Sequence, residues 1–178
     1  MTQIAQWFER KFEFTFPIDL YPNLIMRLRG TPARLEEILR DQPREALIGK
    51  PEAKWSAQEH AGHLLDLEPL WLKRADDYIT QSAQLSVADL SNRKTDEANH
   101  NAHDIKGILN DFRNARSLLV DRVNGIDPAL FSRTLLHPRL KQPMRLVDHL
   151  FFVAEHDDHH LAKIWELINQ RAASNLKR

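Results

Sequence analysis

The segment Glu155-His156-Asp157-Asp158-His159-His160 sets two imidazoles, His156 and His160, four residues apart. On a helix that spacing projects both from one face, about one turn apart. They can then grip a single ion, with metal–nitrogen distances of about 2.0–2.1 Å for zinc. The pair His156 and His159, three apart, is an alternative grip. His63, in an earlier helical segment beside Glu59 and Leu67, is the natural third imidazole. Three neutral imidazoles leave one or more coordination positions open, as catalytic metal sites require. Glu59, Asp66, Asp157 and Asp158 lie close in sequence and can accept the second ring N–H of a ligand histidine, fixing its tautomer. Each feature also has a plainer explanation: a lone histidine at a core edge, or an acidic, imidazole-rich solvated face. His100 and His103, on the third helix, read as solvent-exposed or as lying at its cap. Spacing alone leaves both explanations of the cluster open.

These side chains need rigid elements to hold them, and the hydrophobic pattern supplies helices. Leu20, Leu24 and Leu28 recur at helical spacing, and Thr31-Pro32 predicts a restart before Leu35, Ile38 and Leu39. Pro43 closes that segment, and 44–54 reads as a loop. Ser56-Ala57-Gln58-Glu59 is a capping-box pattern ahead of Leu64, Leu67, Leu70, Trp71, Ala75 and Ile79, with a bend predicted at Pro69. A polar connector covers 81–99. A third helix spans about 100–124, stopped by Gly125. A proline-containing loop covers about 125–143, and a fourth helix about 144–171. With 5 glycines and no clean period-two alternation, the chain reads as all-α, a four-helix bundle. Residues 1–178 are expected to form one domain, with 1–19 as a lead-in. The aromatic residues of that lead-in, Trp7, Phe8, Phe12, Phe14 and Phe16, either cap the bundle or serve a partner contact.

Composition narrows the function. The chain has 178 residues, 25 Lys+Arg against 25 Asp+Glu, and a formal net charge of zero, so it lacks the basic excess that phosphate backbones select. No nucleic-acid partner is expected. It has no cysteine, which excludes disulfides, thiolate zinc sites and cysteine nucleophiles together and accords with a reducing compartment. The N-terminus lacks a signal-peptide pattern, and nowhere do about 18 apolar residues run together to span a membrane. A cytoplasmic protein is expected.

Two strings carry a family resemblance. Trp55-Ser-Ala-Gln-Glu-His-Ala-Gly-His63-Leu64, followed by Asp66-Leu-Glu68-Pro-Leu-Trp71, resembles the second helix of the DinB-like metal-binding family. Glu155-His-Asp-Asp-His-His160-Leu-Ala-Lys-Ile164 resembles its last helix, and Phe112-Arg113-Asn114-Ala115-Arg116 fits the helix between them. The resemblance implies an up-down-down-up bundle, often homodimeric, with a three-histidine site for zinc, nickel or a similar ion. Carried onto this chain, the ligands are His63, His156 and His160, and His60 and His159 become neighbours. Relatives include low-molecular-weight thiol S-transferases, isomerases and proteins described as metal-dependent hydrolases. The resemblance therefore implies a metal-dependent hydrolase or thiol S-transferase acting on a small molecule. Any thiol must come from outside, since the chain has none. No residue stands out as a dedicated catalytic base. The alternative is a non-catalytic binding or stress-response module in which metal ties two helices together.

Overall fold

The computed structural model describes residues 4–50 and 54–175, with side chains through residue 170. In chain order its helices are α1 (Tyr21–Leu39), α2 (Arg44–Ile48), α3 (Ala57–Ile79), α4 (Arg93–Glu97), α5 (Ile105–Asn124) and α6 (Leu146–Asn175). Two short strands, β1 (Thr134–Leu136) and β2 (Pro143–Arg145), pair antiparallel between α5 and α6. The four long helices form the bundle. α3 packs on α5 and α6, and α1 packs on the same two, so neighbours run round the bundle in the order α1, α5, α3, α6. α1 and α3, successive among the long helices, stand diagonally. No helix among the described residues is long and apolar enough to cross a membrane.

The fold is mostly helical rather than all-α. The hairpin register pairs Leu135 with Met144. Both are buried, and exposed residues sit at Thr134, Leu136 and Pro143. Three residues of alternation are too few to stand out against prolines. The backbone N–H of Leu85 reaches the Leu136 carbonyl at 3.0 Å, so the polar connector docks on this hairpin. Segment 44–54 is not all loop, since α2 occupies part of it, and residues 51–53 lie outside the described residues. α5 begins at Ile105 rather than about 100. Asn99 takes a left-handed conformation, a 3-10 turn follows at His100–Ala102, and Asp104 then caps the helix by accepting from the Lys106 N–H.

Nor does α1 restart at Thr31-Pro32; it runs unbroken. Proline has no N–H for the carbonyl four residues back, here that of Leu28. That carbonyl instead accepts from the Arg116 guanidinium at 3.2 Å, a long-range donor in place of the local one.

Arg116 belongs to a polar layer that divides the core. Along each bundle helix, one apolar cluster gives way to another: Leu28 to Leu35 on α1, Trp71 to Leu64 on α3, Leu119 to Phe112 on α5, Val153 to Leu161 on α6. Between them lie Thr31, Glu68, Arg116 and Asp157, all buried. Arg116 donates to Glu68 through Nη2 at 2.6 Å and to Asp157 through both Nη atoms, and Thr31 Oγ1 donates to Asp157 at 2.8 Å. One residue from each bundle helix thus enters a single network, which fixes the helices' relative height. Burial pushes the Glu68 carboxyl above its ordinary range, with repulsion from Asp157 adding to it and Arg116 opposing.

The N-terminal lead lies along the bundle. Phe12 is buried in the core, Arg10 pairs with Glu155, and Arg145 donates to the Phe16 carbonyl at 2.9 Å. Its Trp7 ring packs 5.0 Å from that of His156, so the lead reaches the histidine cluster.

Candidate metal centre

The capping box at the start of α3 sets the position of His63. Ser56 Oγ accepts from the Glu59 N–H at 3.1 Å, and Glu59 Oε2 accepts from the Ser56 N–H at 2.9 Å. The helix therefore starts at a defined residue, and His63 falls in its second turn, facing α6. His156 and His160 project from α6 one turn apart. Ligand atoms of His63, His156 and His160 all lie within 4.8 Å of one another, and all three residues are buried. The Nε2 atoms of His156 and His160 are 3.2 Å apart. Two nitrogens bound to one tetrahedral zinc at about 2.05 Å would be about 3.3 Å apart. Without an ion between them, one of two buried neutral rings would have to donate to the other. The donor set and its spacing fit a borderline-soft divalent ion.

The outer ring nitrogens show how the site is held. His63 Nδ1 lies 3.0 Å from Thr95 Oγ1, and that hydroxyl lies 3.0 Å from Asp66 Oδ2. Ionised Asp66 can only accept, so the hydroxyl donates to it and accepts from His63 Nδ1–H. The lone pair of Nε2 is then left facing the cluster. His100 Nε2 donates to the same Asp66 oxygen at 2.8 Å. Burial pushes Asp66 up, but hydrogen bonds from His100 and Thr95 outweigh it and hold the carboxyl below its ordinary range. His160 Nδ1 meets His60 Nδ1 at 2.9 Å, while His156 Nδ1 has no partner among the described residues.

Of the four carboxylates read from sequence as supports, only Asp66 acts on a cluster histidine, and it does so through Thr95. Glu59 serves the helix cap and pairs with Lys50, Asp157 belongs to the Arg116 network, and Asp158 pairs with Arg27 and Arg34. His159 is half-buried and outside the group of three, so the geometry gathers the i,i+4 pair. His100 is buried, not solvent-facing, whereas His103 is exposed. Nothing in the sequence links Thr95 or His100 to Asp66, which stands 29 and 34 residues away across the rest of α3 and the connector.

His100 packs on the backbone of α3. A Cβ built at Gly62 would lie 2.2 Å from His100 Cγ, a ring atom with little room to swing away. Gly62→Ala should therefore displace His100 from Asp66. Overpacking costs about 1–3 kcal/mol and improved helix propensity returns up to about 1, so a net loss of about 1–2 kcal/mol is expected. Urea unfolding checks this; an alanine variant as stable as wild type would contradict the packing.

Burial keeps these imidazoles uncharged. It lowers His63 to about 4, with His100 adding to the effect and Asp66 opposing it. His156 lies well below 6.5 through burial and repulsion from His63 and His159, and His160 through burial and repulsion from His156 and His63. Burial likewise takes His60 and His137 to about 3 and His159 to about 4, and holds His149 well below 6.5. The unfolded chain protonates these groups near 6.5 and the folded one does not, so the unfolded state binds more protons below that pH. Stability is then full above about 6.5 and falls as pH drops toward 4, by about 1.4 kcal/mol per pH unit for each proton of difference. Chelator-treated protein is expected to unfold cooperatively between pH 6 and pH 4. An unchanged circular dichroism spectrum at pH 4 would contradict this.

The three imidazoles open onto a cavity of about 730 Å³. Trp55 packs 4.7 Å from the His63 ring and Trp71 5.6 Å from His156, giving the cluster an apolar wall. Polar donors on that wall include Arg74, His137 and Arg139.

Residues 27–164 match the sequence profile of the DinB superfamily. The fold is similar to that of YfiT from Bacillus subtilis, described as a probable metal-dependent hydrolase with an unusual four-helix bundle topology. The TM-score is 0.78 at 20% identity, covering 92% of this chain and 94% of that one. At that identity the likeness concerns the fold. No curated protein matches the sequence.

Proposed function

The chain belongs to the DinB superfamily, and from that premise we propose that it is a metal-dependent hydrolase of small molecules. One divalent ion, zinc or nickel, is held by His63, His156 and His160. The observation that carries this reading is the convergence of three buried, neutral imidazoles on a cavity of about 730 Å³. A non-catalytic module needs only a closed site, and the cavity beside the cluster favours an enzyme. The description of YfiT as a probable metal-dependent hydrolase supports the same choice. An ion with an open position supplies Lewis acidity, bringing the pKa of a water ligand to about 7.

The chain's own residues then have defined tasks. Thr95 and Asp66 hold the His63 tautomer, and His60 orients His160. Trp55 and Trp71 keep the wall apolar. His159, half-buried on the same cavity and neutral at pH 7, is available to accept a proton. Homodimeric assembly and a cytoplasmic setting belong to the same proposal.

A second reading, transfer of an external low-molecular-weight thiol to an electrophile, is favoured by the commitment of Glu59, Asp157 and Asp158 elsewhere. Those three carboxylates are therefore not left to act as a base on water, and a bound thiol needs less help in losing its proton. The test uses cobalt-substituted protein with a panel of esters and amides, and separately with a small thiol. Hydrolysis that is lost in His160→Ala supports the first reading. A thiol-induced change in the cobalt spectrum, with no hydrolysis, favours the second. Neither response would leave the enzymatic proposal without support.

A further inference from the structure

The cavity carries a second set of polar groups that the proposed chemistry leaves unused. Arg74 on α3, and His137 and Arg139 between β1 and β2, line it together with Trp71. Arg74 and His137 are each 1% exposed. The Arg139 guanidinium has no carboxylate partner among the described residues, and its buried Nη2 has no hydrogen-bond partner. The carboxylate nearest in effect to Arg74 is Asp77, which is already bound to the Ser86 N–H at 2.6 Å. Arg74 itself donates through Nε to the Ser86 carbonyl at 2.9 Å, which leaves its Nη end turned to His137.

The tautomer of His137 makes this arrangement informative. Its Nδ1 accepts the backbone N–H groups of Arg139 and Leu140 at 3.2 and 3.1 Å, so that nitrogen carries no proton. The neutral ring must carry its proton on Nε2, and Nε2 faces Arg74 Nη1 at 3.3 Å. Two donors thus point toward each other. The buried indole N–H of Trp71 also lacks an acceptor. These groups gather around Phe152, with its ring 5.1 Å from His137, 5.6 Å from the Arg139 guanidinium carbon and 6.3 Å from Trp71. Buried donors without acceptors are costly, and a shared anion would satisfy several at once.

We infer that Arg74, His137 and Arg139 form a subsite for an anionic group, a carboxylate or a phosphate, on a ligand whose apolar body lies along the tryptophan wall. This deepens the proposed function and rests on it in placing the ligand beside the cluster, but the anion contact itself involves no metal. Trp7 and Trp55 flank the route from the subsite to His156 and His63. The ligand class is therefore an aryl or alkyl acid or phosphate ester rather than a neutral or cationic molecule.

The test is calorimetric titration of the full chain, as purified and after chelation, with 4-phenylbutyrate, phenyl phosphate and the neutral 4-phenylbutanamide. At least one anion should bind about tenfold more tightly than the amide in both states. Which anion is preferred distinguishes carboxylate from phosphate. Arg139→Gln, with its melting curve checked, should bring anion and amide to near parity, and Arg139→Lys should retain part of the preference. His160→Ala should keep it, so loss of the metal reading leaves this result standing. Equal affinity for anions and amide, no binding by any probe, or an undiminished preference in folded Arg139→Gln would each overturn the subsite.

Discussion

Replacing Arg116 by methionine is expected to destabilise the protein by about 3–5 kcal/mol, the cost of leaving buried charges without their partner. Two carboxylates, Glu68 and Asp157, lose the guanidinium between them, and the Leu28 carbonyl behind Pro32 loses its donor. At about 2–4 °C per kcal/mol for a domain of this size, the melting temperature should fall by roughly 6–20 °C. The cause is separable from lost packing. Adding Glu68→Gln and Asp157→Asn to Arg116→Met removes the stranded charges and should recover part of the loss. A single variant within about 1 kcal/mol of wild type by urea unfolding would show that the polar layer does not hold the four helices together.

The second large effect concerns the cluster itself. His156→Ala and His160→Ala each remove one of two Nε2 atoms that face each other at 3.2 Å. A site reduced to two imidazoles should lose most of its affinity for a divalent ion. The readout is the stabilisation that zinc gives the fold. At a free metal concentration 100 times its dissociation constant, the wild type gains about 2.7 kcal/mol, and either variant should gain close to nothing. Thr95→Val should fall between, because His63 keeps its nitrogen but loses the hydroxyl that sets its tautomer. Equal zinc stabilisation in wild type and His160→Ala would place the ion elsewhere.

What could be read from sequence was local, and what could not was long-range. The Ser56–Glu59 capping box and the His156–His160 pair each lie within one helical turn, so spacing alone states their geometry. The third imidazole, His63, needed the pairing of two helices, and the family resemblance supplied that. Arg116 enters the sequence reading only as part of the Phe112–Arg116 string, with no sign of its network, because its partners stand 41 and 48 residues away. Thr95 lies in the polar connector and His100 at the expected start of the third helix, and composition gives no hint that this stretch closes over α3. Thr31-Pro32 reads as a restart because the donor to the Leu28 carbonyl comes from α5 rather than from α1. The β1–β2 hairpin was hidden by its length.

In the proposed function, one chain holds one divalent ion through His63, His156 and His160. Metal content by mass spectrometry on tag-free protein, wild type beside His63→Ala, tests it most directly. Close to one zinc or nickel per chain is expected in the wild type and little in the variant. No metal in the wild type after exposure to several divalent ions, or equal metal in both proteins, would contradict it.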